Sequence, residues 1–415
     1  MPLRPPARGS GLGRDFFALW AASATANLGD AMYLLALPLL ALHLGGSPGE
    51  VAVVTVLFTL AWPLFGLPAG LLADRVDRRR LVVIVNAGRS AVLVALTILV
   101  ATGSVALNWV YAAAFLLGLG ETIVDSCFAA LVPSAVRDRG LLGRANARIE
   151  FATTVTNQFV GPPLAGLLAV AGLVWVTGAG SLLFLATLPV LALMAGTYRV
   201  ASAADREPFR AAITSGLRFI WRNPLLRTLT LLTASMNVFW AAWTAVLVVY
   251  AVAPGPVGLS PAGYGLLLTM MAVGGVAGSL LVEPWRRRLG DRRLLALDIV
   301  GTILLIGTPA VITNPVAIGA AMLVGGAGSA VWRVIVAVIR QRLTPPDLLA
   351  RVYSASRVIS WGVLPLGAAL GGLLAEAYGV RAVFTVGGVV SLALLVAYGV
   401  TVRPGALNPT GGESA

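Results

Sequence analysis

The chain alternates long apolar runs with short polar breaks along almost its whole length. Runs of roughly 20 residues or more, the length a helix needs to cross a hydrocarbon core of about 30 Å, recur from Phe16 almost to Val402. Twelve are predicted. The first six run Phe16 to Leu42, Val51 to Ala73, Leu81 to Thr102, Leu107 to Ala130, Ile149 to Ala171 and Leu173 to Ala195. The second six run Leu225 to Val252, Tyr264 to Val282, Leu294 to Thr313, Pro315 to Ile339, Val352 to Ala375 and Val380 to Val402. The first run follows Arg4, Arg8 and Arg14 as a secretory signal would, but it is too long and eleven more follow, so it reads as a retained first helix.

The polar breaks are of two kinds. Arginines crowd alternate breaks: Arg75 to Arg80, Arg137 to Arg144, Arg199 to Arg227, Arg286 to Arg293, Arg340 to Arg351, and Arg403. The opposite breaks hold little charge beyond His43, Glu50, Glu376 and Arg381. By the positive-inside rule both termini lie in the cytoplasm. The expectation is an all-α integral membrane fold, multi-pass in the bacterial inner (cytoplasmic) membrane. The longest polar stretch places Ile213, Leu217 and Ile220 on one side with Arg210, Arg218 and Arg222 nearby, a basic amphipathic segment for the membrane surface. It divides the chain into a first bundle (1–198), a cytoplasmic linker (199–224) and a second bundle (225–415).

Composition agrees with this pattern and excludes several functions. Hydrophobic residues make up 58% of the 415, and charged residues only 11%, too few to cover a soluble protein of this size. All 30 basic residues are arginine, so neither a phosphate-binding P-loop nor a Schiff-base lysine is possible. The net charge of +13 sits beside apolar spans, which points to anionic lipid headgroups rather than nucleic acid. One cysteine, Cys127, and one histidine, His43, allow no intramolecular disulfide and no zinc site. No cofactor, metal or catalytic constellation is predicted. Gly45 to Gly49 spells a serine-hydrolase elbow, but it joins two helices with no strand before it and reads as a turn.

The two groups of six repeat at an offset of about 207 residues. Ala114 to Gly118 corresponds to Ala321 to Gly325, Leu141 to Arg144 to Leu348 to Arg351, and Gly166 to Ala169 to Gly372 to Ala375. An even number of helices gives both halves the same orientation, a parallel repeat with a substrate site between them near the midplane.

Between the second and third spans stands Gly70-Leu71-Leu72-Ala73-Asp74-Arg75-Val76-Asp77-Arg78-Arg79-Arg80, with a degraded copy at Gly278 to Glu283 followed by Arg286, Arg287 and Arg288. This loop resembles the signature of the major facilitator superfamily, with Asp77 in place of the family's second glycine. An acid at a helix–loop junction can meet a helix N-terminus or an arginine in one conformation only. Gly70, Asp74, Arg75, Arg78, Arg79 and Glu283 are therefore candidate latch residues. A closer resemblance, to the branch holding macrolide efflux proteins and the enterobactin exporter, rests on Asn27 to Asp30, Ala36 to Pro38, Arg340 to Pro345 with Arg351, Arg357, and Pro365 to Gly367. Gly161-Pro162-Pro163-Leu164-Ala165-Gly166 resembles the superfamily's antiporter motif; a proline kink beside small-residue packing would give the same letters. The resemblance implies a twelve-helix, gradient-driven transporter.

Charges inside the spans need a partner, a water-filled cavity or a function. Asp30 lies about 15 residues, roughly 22 Å, from the cytoplasmic end of its helix and is the first proton-coupling candidate. Glu121 and Asp125, one turn apart on one face, are the others. Arg89 is expected to pair with Asp125, and Arg333 with Asp298, as equivalent pairs in the two halves. Glu150 and Arg357 form an expected pair between the halves. Trp240, Trp243, Trp332 and Trp361, with Asn27 and Asn237, are candidates for the wall of a cavity that takes an amphipathic substrate. The expected function is export of a drug, antibiotic or siderophore by proton antiport. Left open are import or lysophospholipid flipping on the same fold, and a non-transporting receptor or scaffold.

Overall fold

A computed structural model describes residues 12–136, 138–196, 198, 209–346 and 348–402. Among these there is no strand, only one isolated bridge between Val252 and Leu259. The first part comprises α1 (Arg14–His43), α2 (Pro48–Arg75), α3 (Arg78–Ala101), α4 (Leu107–Ala135), α5 (Leu142–Thr153), α6 (Gly161–Ala171) and α7 (Leu173–Ala192). The rest comprises α8 (Phe209–Arg222), α9 (Pro224–Ala251), α10 (Pro261–Val311), α11 (Pro315–Leu343), α12 (Leu349–Gly362), α13 (Leu364–Tyr378) and α14 (Val380–Thr401).

Helix starts follow one local rule. Ser47, Asn223, Ser260 and Asn314 each cap a helix through a side-chain oxygen, and each is followed by proline at the first helical position. Ser47 also forms a reciprocal capping box with Glu50. Proline lacks a donor there at no cost, because the first turn has no acceptor for it.

The same chemistry inside a span breaks the helix. Pro162 and Pro163 remove donors that the preceding turn needs, and Thr154–Val160 responds by widening into a π-helix that joins α5 to α6. Pro365 stands just after the break at Val363 that separates α12 from α13. In the other direction, the predicted spans Tyr264 to Val282 and Leu294 to Thr313 merge into α10, whose two limbs meet at Gly290 with φ 76 and ψ 159. Only glycine adopts that conformation without strain. The described residues thus contain ten helices long and apolar enough to cross a membrane.

Close packing ties α1, α3 and α7 together, and α2 to α4; in the second half α10 packs on α11 and α14. Short α8 lies against α12, with Ile220 buried on Val352 and Ala355. The two halves meet chiefly where α2 packs on α13 and α6 on α10. These contacts are backbone-close. A Cβ on Gly166 would overlap Pro261 and Ala262, one on Gly265 would overlap Pro162, and one on Gly372 would overlap the Cβ of Ala52. All lie toward the helix ends without arginine clusters. There Glu376 accepts a hydrogen bond from the Gly49 N–H across the halves at 3.0 Å.

Candidate functional site

The first half buries a charged network. Arg89 on α3 and Asp30 on α1 are 2% and 4% exposed, and the guanidinium donates to the Asp30 carboxylate. The same nitrogen donates to the Tyr33 hydroxyl at 3.1 Å, and Tyr33 donates in turn to Glu121 on α4 at 2.6 Å. Asp30 and Tyr33 share a face of α1 because they are three residues apart. Phe184 on α7 lies under the guanidinium at 4.1 Å, and Asn86 accepts from it at 3.4 Å while donating to Thr187 at 3.1 Å. Gly120 leaves the space in α4 that the Arg89 methylenes fill.

Both expected charge pairs are corrected. Arg89 pairs with Asp30, not Asp125, because its long side chain extends along α3 past its own backbone level to reach α1. Asp125 is exposed on α4. Asp298 is 1% exposed and neither of its carboxylate oxygens has a hydrogen-bond partner, whereas Arg333 is exposed and makes no ion pair with it. Their backbone depths are similar, but the Asp298 carboxylate turns between α10 and α11 into the gap at Gly328. Arg357 likewise does not reach Glu150. It stacks on Trp62 of α2 at 5.4 Å and on Trp361 at 5.5 Å, a cation–π contact between the halves.

A cavity of about 610 Å³ lies between the halves. Tyr33, Asn157 and Gln158 line it from the first half, and Asn237, Trp240, Trp332, Arg333 and Trp361 from the second. Asn237 donates to the Ser360 carbonyl at 2.6 Å and Trp332 to the Thr233 hydroxyl at 2.9 Å, which fixes both side chains at the wall. Trp243 departs from expectation: it is fully buried behind Trp240, rings stacked at 5.4 Å, and packs the core instead of the cavity. Asn27 also stands behind the wall, where its oxygen accepts from Asn157 at 3.5 Å.

The signature loop gathers helix ends of the first half. Gly70, Asp74 and Arg75 close α2, and the side chain of Asp74 lies outside the described residues. Arg78 donates to the carbonyls of Ala73 and Ala130, and Arg79 to those of Ala192 and Met194. Both guanidiniums thereby meet carbonyls at the negative ends of α2, α4 and α7. Asp77 caps α3 through the Arg80 N–H at 3.0 Å and accepts from the Tyr198 N–H at 3.0 Å. Burial pushes its carboxyl up, but the backbone donors of Arg80, Tyr198 and Arg79 outweigh this and hold it below the ordinary aspartate value. Glu283 pairs only locally, with Arg286 at 3.5 Å and Arg287 at 3.3 Å. In the antiporter-like segment, Gly161 admits α1 through Ala31, while Pro162 and Gly166 form the contact with α10.

Tyr33, the centre of the network, is not among the candidates drawn from the sequence. The signal was present: a tyrosine in mid-span, where the interfacial preference of tyrosine does not apply, three residues from a buried acid.

Long apolar helices packed around one cavity, with charged side chains buried beside it, define the class as an all-helical membrane protein of transporter type. The chain belongs to the transmembrane secretion effector family of the major facilitator superfamily, whose family model matches residues 11–408. It is similar to the multidrug efflux pump Tap of Mycolicibacterium fortuitum, 27% identical over 383 residues, covering 88% of this chain and 90% of that protein. It is also similar to the MFS-type transporter YfiS of Bacillus subtilis, 29% identical over 399 residues and covering 90% of both chains. Among solved structures, the nucleoside transporter NupG matches with a TM-score of 0.75 at 12% identity, over 94% of this chain and 99% of that one. A bacterial homologue of the iron transporter ferroportin, in an inward-facing state, matches with a TM-score of 0.72 at 19% identity, over 94% of this chain and 98% of that one. These structural likenesses show the fold, and the family is that of membrane transporters.

Proposed function

We propose that the chain exports amphipathic small molecules from the cytoplasm in exchange for protons, from two six-helix halves (1–198 and 225–415) joined by a cytoplasmic linker (199–224). On this reading the chain crosses the bacterial inner membrane twelve times, because α10 crosses twice about Gly290 and the α5–α6 segment crosses once.

One observation carries the proton. The network on α1, α3 and α4 holds two carboxylates, Asp30 and Glu121, against one guanidinium, Arg89. An uncompensated charge at this depth costs several kcal/mol, so the network is balanced when it holds one proton. Glu121 is the group that takes it, because Asp30 already has Arg89 as its counter-ion. Tyr33 reports the change to the cavity, since its hydroxyl is bonded to Glu121 and its ring lines the wall.

The cargo class rests on the cavity: its volume suits a drug-sized molecule, and its wall is aromatic with a few fixed polar groups. The direction rests on the multidrug efflux relatives. With the arginine clusters on the cytoplasmic side, the tight contacts at Gly166, Gly265 and Gly372 close the outer side, so the cavity faces inward. Asp74 and the loop around it act as the latch of the alternate state.

Expression in a drug-sensitive host tests the reading. Accumulation of lipophilic cations, macrolides and siderophores falls for at least one compound, and an uncoupler restores it. Accumulation that an uncoupler leaves unchanged rules out proton-driven export of that compound.

A further inference from the structure

Asp298 has no place in the mechanism above, yet it is the most isolated charge-bearing group described in the second half. It lies on the limb of α10 that follows Gly290, at the cavity wall, and is 1% exposed. Both carboxylate oxygens are covered, and neither has a hydrogen-bond partner. One oxygen lodges in the gap left by Gly328 on α11, where any side chain would displace it.

The charged and titratable groups on the elements around it are occupied elsewhere. Arg333 of α11 is exposed to the cavity, and Arg340 of α11 stacks on Tyr353 at 5.3 Å. Tyr398 of α14 donates to the Arg292 carbonyl, Arg292 donates to the Val402 carbonyl, and Asp291 pairs with Arg286. Arg381 of α14 and Arg227 of α9 stand at or near the ends of their helices, and α6 and the π segment contribute only neutral side chains.

The first half offers a comparison. Gly120 of α4 receives the Arg89 side chain, and Gly328 of α11 receives Asp298. At the repeat offset of about 207, Gly328 falls one residue past the counterpart of Gly120. Neighbouring gaps on corresponding helices therefore hold an arginine with its counter-ions in one half and a carboxylate without any in the other.

We propose that Asp298 is a second proton-binding site, independent of the network around Arg89. A bare carboxylate buried without a hydrogen bond is costly enough that some cation must neutralise it. A calcium or magnesium ion requires about six or more oxygen ligands, and no cluster of metal-binding side chains exists among the described residues. An organic cation does not reach oxygens that are fully covered. A proton does. Three carboxylates inside the spans, Asp30, Glu121 and Asp298, then face the one buried guanidinium of Arg89, and the balanced protein carries two protons. One transport cycle exchanges two protons for one cargo molecule.

The stoichiometry rests on the antiport reading, whereas the protonation of Asp298 does not, and the test separates them. Full-length protein and its Asp298→Asn variant are compared by infrared difference spectroscopy. The wild-type-minus-variant difference is expected to show the carbonyl stretch of one neutral carboxylic acid, beyond any band from Glu121 that both proteins share. A difference spectrum without that band overturns the site. The same proteins in liposomes, held at zero membrane potential, then accumulate tetraphenylphosphonium against an imposed pH gradient. The expected gradient is about a hundredfold per pH unit for wild type and about tenfold for Asp298→Asn. Equal dependence in the two overturns its role in coupling. If the wild type responds to no pH gradient, the antiport reading fails for this compound while the spectrum still decides the proton site.

Discussion

The Tyr33 hydroxyl donates to Glu121 at 2.6 Å while its oxygen accepts from Arg89 at 3.1 Å, so one phenol joins the ion pair on α1 and α3 to the carboxylate on α4. Neither carboxylate senses the other directly through a bond. A change in the protonation of Glu121 is felt at Arg89 and Asp30 through this single oxygen.

Tyr33→Phe removes the bridge and keeps the ring packed between Phe58 and Phe184. Hydrogen bonds to charged groups contribute about 1.5–3 kcal/mol, so stability is expected to fall by about that amount and pH-driven transport roughly tenfold or more. Transport rates and melting curves of the purified variant check this. Unchanged transport contradicts the relay.

Asp30→Asn leaves Arg89 charged and buried without its counter-ion, a change that costs about 3–5 kcal/mol. The double variant Asp30→Asn/Arg89→Gln removes both charges and is expected to recover most of that stability but not transport. A double variant no more stable than the single one contradicts the pairing. The same comparison with Asp125→Asn is expected to show no coupling to Arg89.

Gly166→Val places two methyl groups where the carbonyl of Pro261 stands. Overpacking of this kind costs about 1–3 kcal/mol in the state that contains the contact, which favours the alternate state. In a Cys127→Ala background with Ala52→Cys, labelling by an impermeant thiol reagent from the arginine-poor side is expected to rise about tenfold. Labelling that stays at the background level contradicts the closed interface.

Asp77 carries a pH effect that lies outside the spans. Its carboxyl is held below the ordinary value of 3.8, so its stabilising contribution is present above that value and is lost as pH falls through the lower folded value. Asp77→Ala is expected to lower stability by about 0.5–2 kcal/mol, the range for lost helix caps, by the same amount from pH 5 to 8. Asp77→Asn keeps a cap and loses less. A deficit that grows between pH 5 and 8 contradicts the assignment.

The fold was legible because its determinants are local or periodic. Span lengths, arginine asymmetry and the repeat matches at Gly118 and Gly325 all derive from sequence order, and the apolar helices follow. Irregularities were legible only in part. Pro162 signalled a kink but not its π geometry, and the merging of two spans at Gly290 hid behind a polar break. The site was harder for a physical reason. Arg89 and Asp30 lie far apart in sequence, and backbone depth alone placed Asp125 nearer to the arginine. Which partner wins is decided by side-chain reach and by Gly120, which opens α4 beside the guanidinium. Trp243 shows the same limit: its spacing from Trp240 puts the two rings together, but only the packing of α9 decides which one faces the cavity.

The central claim is that the proton moves through Glu121. In liposomes containing Glu121→Gln, which fixes the neutral form, exchange of labelled for unlabelled tetraphenylphosphonium is expected to continue, while uphill movement driven by a pH gradient is expected to fall at least tenfold. Uphill transport by Glu121→Gln at the wild-type rate would contradict the account.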